Sequence, residues 1–439
     1  MKSMRDTVTK PKQTPGLNPF LPFSLYIPDG EPKVFGDRLY LYGSFDLPCG
    51  EESYCSDVYH AVSAPLSDLT RWTDHGVSFS SADVPWSRAR LYAPDALYHN
   101  GKYYLYFCMA DGTEGVAESD SPAGPFTDAR QIMLNGKPVT GIDPSVLEYE
   151  GKIYYTWGQF HMCMGELNAD LCTLKPETVR TDVLSNAPGR EGFHEGSSLR
   201  RLGDKFCIIY ASEYTEAYPN SGGRPTKLDY ALSDAPYGPY TRRGTVIDNT
   251  GCDPASWNNH GSVVKAGDDW YVFYHASSGN TCVMRRARAE RLMVDEKNAV
   301  IEQAAPTTNG FVKVLLPEHI TSPANACRFF GGAYVTDTGD GRFPAVGLAN
   351  GAGFAFSPIR FAAGAYLLRL RYSAAAPAQI ALLLNGNETA LAPLPAARDG
   401  EITIPFTADA GEFPLRIEMQ SVPNAADAEI YGMAISARR

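Results

Sequence analysis

Short runs in which apolar and polar residues alternate fill most of the chain, and one of them recurs. Gly-Asp-Arg-Leu-Tyr-Leu-Tyr at 36–42 is echoed by GKYYLYF from Gly101, GKIYYTW from Gly151, GDKFCIIY from Gly203 and GDDWYVFY from Gly267. A turn glycine followed by alternating aromatic and β-branched residues predicts the return strand of an antiparallel pair with one buried face. The glycines stand 65, 50, 52 and 64 residues apart. Repeats of strands at such a period make propeller blades, the longer gaps holding insertions. Each unit reads as four strands; in the first, PKVF turns at Gly36-Asp37 into RLYLYG, and DVYHAVSAP and RWTDHG follow. A second echo, ESDSPAGPFT at 118–127 and LSDAPYGPYT at 232–241, puts Pro-Gly turns between the third and fourth strands of units two and four. No long amphipathic helical pattern intervenes. Five blades over residues 18–305 are predicted.

The repeat stops after CVMRRARAERLMVDEKNAVIEQ at 282–303, and a mixed segment runs from Ala304 to Asn325. Beyond it the chain turns Ala-rich, with short strand patterns such as AYLLRLRYS and QIALLLNGNETALAPL. Asn385-Gly386 between apolar runs is a strong hairpin signal. A β-sandwich over 326–439 is predicted. The fold class is therefore all-β, a five-bladed propeller followed by a jelly-roll-like sandwich.

Bulk properties narrow the partners. The net charge of −11 over 439 residues argues against a nucleic-acid partner, which needs a basic face, and suits a neutral ligand. The N-terminal MKSMRDTVTKPKQTPGLNPF has basic residues but no apolar core, so it is not read as a secretory leader. No apolar run approaches the roughly 18 residues of a membrane span. Nine scattered cysteines with no Cys-x-x-Cys pair read as reduced, buried thiols, and the protein is expected to be cytoplasmic.

Upstream of each turn glycine lies a titratable residue: Asp29, Asp95, Asp143, Glu195 and His260. In a propeller, equivalent positions of successive blades converge on one central funnel although some fifty residues separate them in sequence. Carboxylates gathered there repel one another, which raises some of their pKa values. Such a group can keep one carboxyl protonated and another ionised. Glycoside hydrolysis needs that division: an acid protonates the leaving oxygen while a carboxylate activates water. Each residue also has a plain structural reading. Pro28-Asp29-Gly30 is a turn sequence, Asp143-Pro144 a strand start, Glu195 a surface charge and His260 a structural histidine. HEGSS at 194–198 is not the zinc motif His-Glu-x-x-His, because Ser198 takes the last place.

The motifs NPFLPFSLYIPDGEP, LYAPDALYHNGKYYLYF, GIDPSVLEYEGKIYY, HEGSSLRRLGDKF and NNHGSVVKAGDDWYVFYH, from about Asn18 to Gly310, resemble glycoside hydrolase family 43 in order and spacing. That family comprises five-bladed arabinofuranosidases, xylosidases and arabinanases. By this resemblance Asp29 is the general base, Glu195 the general acid, and Asp143 the residue that orients the acid and raises its pKa. His260 matches the histidine that in many members helps hold a metal ion or water on the axis. The resemblance thus allows a structural calcium ion there, with no cofactor required for chemistry. Asp95 matches the supporting carboxylate of the Ala-Pro-Asp motif and is taken as substrate-binding. Tyr92 stands where the family usually has Trp. Trp86 is a candidate for stacking on a sugar, with core packing as its rival. Arg285 matches the arginine aimed at substrate, while Arg286 and Arg288 beside it also suit a solvated basic edge.

The C-terminal region resembles a family 6 carbohydrate-binding module in AVGLANGAGFAFSPIRFAAGAYLLRLRYS and AEIYGMAIS. All five tryptophans precede residue 275, however, and of the tyrosines Tyr334, Tyr366, Tyr372 and Tyr431 the alternating ones read as core, so a packing scaffold competes with a lectin. The function implied is an inverting, exo-acting α-L-arabinofuranosidase on a pentose-containing oligosaccharide. The alternatives are a β-xylosidase or arabinanase of the same family, or a non-catalytic sugar-binding propeller. Invertase-type five-bladed enzymes are set apart by Asn-Asp-Pro-Asn-Gly, Arg-Asp-Pro and Glu-Cys motifs, none of which occurs here.

Overall fold

Strand Glu31–Phe35 pairs antiparallel with Arg38–Tyr42, which pairs in turn with Val58–Pro65 and then Thr73–Ser80. This is the first of five such sheets in a computed structural model of the chain, which describes residues 13–48, 54–213, 225–252, 256–279, 281–421 and 428–438. The second sheet runs Asp95–His99, Lys102–Cys108, Glu114–Ser119 and Thr127–Gln131. The third holds Ser145–Tyr149, Lys152–Trp157 and Cys163–Glu166. The fourth holds Phe193–Leu202, Lys205–Glu213, Thr226–Ser233 and Thr241–Ile247. Ser262–Ala266, Asp269–Ala276 and Arg286–Leu292 form the fifth. The repeated turn glycines Gly36, Gly101, Gly151, Gly203 and Gly267 all have positive φ and join first to second strands.

First strands of neighbouring sheets lie against one another from blade one through blade four. Ser262–Ala266 of blade five comes back against Glu31–Phe35, so the sheets close into a ring. The seam is a parallel bridge between Gly30 and Gly261. Neither position has room for a side chain: a Cβ at Gly261 would fall 2.0 Å from the Phe273 carbonyl, and one at Gly30 would fall 2.8 Å from Leu41. At the outer edge of blade five the Asn18 amide donates to the Ala289 carbonyl at 2.9 Å and accepts from its N–H at 3.0 Å. One side chain there imitates a rung of a strand ladder.

Blades three and five carry three paired strands rather than the four predicted. In blade three the outer segment is reduced to isolated bridges, Met164 with Arg180 and His161 with Ser185. A 3-10 turn at Pro176–Thr178 interrupts the run before it, and proline has no N–H to give to a ladder. Large aromatic residues such as Tyr42, Tyr106, Tyr155, Tyr210 and Phe273 are fully buried on the second strands. Their alternation is the one seen in the sequence. Cys108 and Cys207 are buried on these strands too, and each of the eight described cysteines is a free thiol. Cys49 and the basic N-terminal residues 1–12 lie outside the described residues. Among the described residues no helix is long and apolar enough to cross a membrane.

Two five-stranded antiparallel sheets follow. One orders Arg328–Phe330, Gly353–Phe361, Gly411–Gln420, Ala378–Leu384 and Asn387–Leu394; the other orders Tyr334–Val335, Ala345–Val346, Ala428–Ala437, Gly364–Ala374 and Ala397–Ala408. Both contribute to one core that includes Phe354, Phe356, Leu368, Leu370, Leu415 and Ile435. The predicted Asn385-Gly386 hairpin is present, with φ of 51° and 79° as a two-residue primed turn requires. Tyr366, Tyr372 and Tyr431 are buried, while Tyr334 is half-buried. Leu17, Leu315 and Ile320 extend this core towards the blades.

Candidate active site

A cavity of about 220 Å³ lies where the chain enters the inner strands, and Asp29, Asp143, Glu195, His260 and Arg285 all line it. Asp29 and Asp143 each sit just before an inner strand with φ near 60°, at 58° and 57°. Aspartate tolerates this left-handed region better than most residues. Holding it there costs on the order of 1 kcal/mol, a strain that occurs mainly where side-chain placement matters.

Asp29 is buried and fully engaged. Ser44 donates its hydroxyl to Oδ2 at 2.6 Å, and Arg285 donates Nη1 to Oδ1 at 2.7 Å. Arg285 is held in turn by Asp46, with Nε to Oδ2 at 2.9 Å, Nη2 to Oδ1 at 3.0 Å and the backbone N–H to Oδ2 at 3.0 Å. A forked, doubly bonded guanidinium of this kind is fixed in direction as well as charge. It supplies Asp29 with a counter-charge at a set place. His275 lies 3.4 Å from the same carboxylate but forms no ion pair with it. Its Nδ1 accepts the Asp29 N–H, and burial, with Arg285 and His260 nearby, holds its pKa well below the usual histidine range.

Asp143 and Glu195 are linked through one peptide group. Gly196 donates its N–H to Asp143 Oδ2 at 3.1 Å, so the residue after Glu195 is tied to Asp143 directly. Gly196 has φ of 68°, and a Cβ there would stand 3.1 Å from the His260 ring. Gln159 donates to Glu195 Oε2 at 2.7 Å. Burial pushes the Glu195 carboxyl up to about 7; the charge of Asp29 adds to this, while Gln159, His260 and Arg285 oppose it. Asp143 is likewise raised to about 7, first by burial and then by Glu195 and Asp29 against the pull of His260. Two neighbouring carboxyls in this state titrate as a pair. The rise at Glu195 thus comes from burial more than from Asp143, whose direct link to it is the Gly196 N–H.

His260 bridges two anions, its Nδ1 3.6 Å from Asp143 and its Nε2 3.6 Å from Glu31. Burial lowers its pKa, but Asp143 and Glu31 outweigh that and bring it to about 9. The imidazolium therefore carries positive charge on the axis. A calcium ion beside His260 would need oxygen ligands from the residues around it. Glu31 Oε1 accepts no hydrogen bond but already faces the His260 imidazolium at 3.6 Å. Glu31 Oε2 is already taken by Ser198 and Arg200. Calcium takes six to eight oxygen ligands. Among the described residues no group of three or more His, Cys, Asp or Glu side chains is arranged to hold a metal. The described side chains alone therefore do not complete a calcium cage, and an ion beside His260 would draw most of its ligands from water.

Two expectations are corrected. Asp95 does not reach the cavity. It is fully buried one layer deeper, where Lys33 donates to Oδ2 at 3.0 Å and the Val146 N–H donates to it at 2.9 Å. In pairing register Asp95 opposite Tyr106 matches Glu31 opposite Tyr42 and Ser145 opposite Thr156, while Ala93 takes the rim position. Trp86 packs rather than lining the cavity. Its ring lies parallel to Phe107 at 6.2 Å and its N–H is bonded to Thr113. Tyr92 and Arg285 do line the cavity. Arg285, Arg286 and Arg288 are all buried, so the solvated-edge reading fails for the three together.

Sequence reasoning missed Tyr54, Gln159 and Trp257, which complete the wall. Trp257 lies three residues before His260, and Gln159 two residues beyond strand Lys152–Trp157. Proximity to the inner-strand ends was their available signal.

Comparison with known proteins agrees with this geometry. Residues 54–299 match the family described as glycosyl hydrolases family 43. A xylosidase/arabinosidase of Thermoclostridium stercorarium is 32% identical over 72% of this chain and 72% of its own length. A family 43 β-xylosidase/α-arabinofuranosidase from a compost microbial metagenome, solved with xylotriose in a calcium-free form, superposes with a TM-score of 0.55. It is 26% identical and covers 67% of this chain and 98% of its own. A Bacillus subtilis arabinoxylan arabinofuranohydrolase solved with cellotetraose shares the fold over 99% of this chain and 100% of its own, with TM-score 0.56 and 20% identity. The extent of these matches and the carboxyl-lined cavity lead to one conclusion: the chain belongs to glycosyl hydrolase family 43 and is a glycoside hydrolase.

Proposed function

We propose that the protein is an inverting, exo-acting α-L-arabinofuranosidase that removes terminal residues from arabinose-containing oligosaccharides. The observation that carries this reading is the convergence of Asp29, Asp143 and Glu195 on a cavity of about 220 Å³. Pockets for drug-sized ligands run from about 300 Å³ upward, so this one suits a single sugar ring better than a chain. Aromatic Tyr54, Tyr92 and Trp257 offer apolar faces to the ring.

In this mechanism Glu195 gives its proton to the glycosidic oxygen as the C–O bond breaks. Asp29 takes a proton from a water molecule, whose oxygen attacks the anomeric carbon from the opposite face. Arg285 and Ser44 hold Asp29 in place, and Asp143 holds the Glu195–Gly196 peptide. Each turnover ends with Asp29 protonated and Glu195 ionised, and exchange with solvent restores both. The preference for arabinose over xylose rests on the likeness of the blade-five segment RARAERLMVDEKNAVIEQ to arabinofuranosidases with an appended sandwich.

The test is hydrolysis of 4-nitrophenyl α-L-arabinofuranoside beside 4-nitrophenyl β-D-xylopyranoside. The arabinoside is expected to be the better substrate. A preference for the xyloside assigns xylose to the same machinery, and failure on both glycosides and on arabino-oligosaccharides overturns the reading. A pH dependence follows from the raised carboxyl. Glu195 acts only while protonated and Asp29 only while ionised, so kcat/KM follows a bell whose alkaline limb falls as the pH rises through about 7. A rate that stays level up to pH 9 would remove Glu195 from the acid role.

A further inference from the structure

Arg286, the neighbour of Arg285, is buried and makes no direct contact with the cavity. It donates Nε to the Phe23 carbonyl at 2.8 Å, Nη1 to Ser278 and Nη2 to the Tyr26 hydroxyl at 2.8 Å. All three acceptors are neutral. The anion that balances it comes from the sandwich: Tyr26 passes its own hydroxyl proton bond to Asp337 Oδ2 at 2.6 Å. Asp337 lies on the loop between Tyr334–Val335 and Ala345–Val346. From the same loop Phe343 faces the guanidinium at 5.1 Å and Phe23 at 5.4 Å, while Tyr26 covers that guanidinium at 4.5 Å. The backbone N–H of Gly279 in blade five also donates to Val335 at 2.8 Å.

Tyr26 stands three residues before Asp29, and its carbonyl accepts the Asp46 N–H at 2.8 Å. Asp46 in turn holds Arg285. Asp29 is therefore gripped along two short paths, one through Tyr26 and one through Arg286 and Arg285. Both paths meet at the hydroxyl that Asp337 fixes. We propose that Asp337 is a positioning residue for Asp29, so that the sandwich loop is a working part of the glycosidase site. This inference rests on the proposed role of Asp29 as base.

Removing Asp337 leaves the Arg286 charge buried without its anion and frees the Tyr26 hydroxyl. A shift of about 1 Å at a reacting group costs on the order of a hundredfold in rate, so a partial loosening two contacts away should cost about tenfold in kcat. Three variants test this in the full chain: Asp337→Ala, Asp337→Asn and Tyr26→Phe, with Asp29→Ala as reference. Asp337→Ala and Tyr26→Phe are expected to lose about tenfold in kcat with KM little changed. Asp337→Asn, whose amide oxygen still accepts from Tyr26 but which leaves Arg286 without its anion, should recover part of the rate.

Azide distinguishes misplacement of the base from loss of folded enzyme. It attacks the anomeric carbon without giving up a proton, so it bypasses the base while Glu195 still protonates the leaving oxygen. Azide should speed Asp337→Ala, Tyr26→Phe and Asp29→Ala and yield glycosyl azide, leaving the parent unchanged. Full activity in both Asp337→Ala and Tyr26→Phe, or a loss that azide does not relieve and that tracks the folded fraction, would overturn the proposal. If Asp337→Ala does not fold, Tyr26→Phe, which keeps the buried ring, carries the same comparison. Undiminished activity in Asp29→Ala would instead refute the base assignment itself.

Discussion

Glu195→Gln is expected to lower kcat/KM on an arabino-oligosaccharide by about a thousandfold, within the span of general acid catalysis. The loss should depend on the leaving group. A sugar hydroxyl departs as a poor leaving group unless it is protonated, so the full penalty falls on the natural linkage. A 2,4-dinitrophenolate departs without help, and the same variant should cleave that arabinoside at close to the parent rate. The part of the alkaline fall through about 7 that Glu195 sets should disappear with its carboxyl, leaving only what Asp143, raised to about 7 as well, imposes. The isosteric amide leaves the Gly196 tie to Asp143 in place, which separates loss of the proton from loss of structure. Equal losses on both leaving groups would show that Glu195 is not the acid.

Asp29→Asn is expected to show the opposite pattern. Water must be deprotonated whatever group departs, so kcat should fall by a factor on the order of a thousand or more on oligosaccharide and activated arabinoside alike. The amide oxygen can still accept from Arg285 while its NH2 donates to the Ser44 hydroxyl, but the charge is lost, leaving that guanidinium with Asp46 as its one anion. KM should change little. A variant that loses rate only with the poor leaving group would exchange the roles assigned to Asp29 and Glu195.

Much of this site was legible in the chain before its structure. Asp29, Asp143, Glu195 and His260 stand seven or eight residues ahead of a turn glycine, and the ring of inner strands brings all four to one cavity. Asp95 stands six ahead, and that small difference decided its fate. It falls one strand layer deeper, opposite Tyr106, where it balances Lys33 and Arg200 instead of meeting substrate. Spacing to a turn locates a residue only to within a pleat. Pairing register, which the sequence does not display, decides which layer it occupies.

The arginines illustrate a second limit. Arg285, Arg286 and Arg288 read as a basic edge because their partners are far away in the chain: Asp46, Tyr26 with Asp337, and the Ala326 carbonyl. Burial of a charge is legible only together with the group that balances it. Trp86 failed for a related reason. An aromatic residue in a loop near the funnel serves packing and stacking equally well on paper, and the parallel ring of Phe107 settles it as packing. The fold itself was the most legible part, since it rests on turns and alternation that are local. The loss of an outer strand in blade three was signalled only by Pro176.

The division of labour between Asp29 and Glu195 is tested most directly by following the first minutes of 4-nitrophenyl α-L-arabinofuranoside hydrolysis by proton NMR. Direct attack by a water molecule that Asp29 activates predicts β-L-arabinofuranose as the first-formed sugar, with the α-anomer appearing only through mutarotation. Release of the α-anomer first would mean two displacements through a glycosyl-enzyme, and would contradict the account.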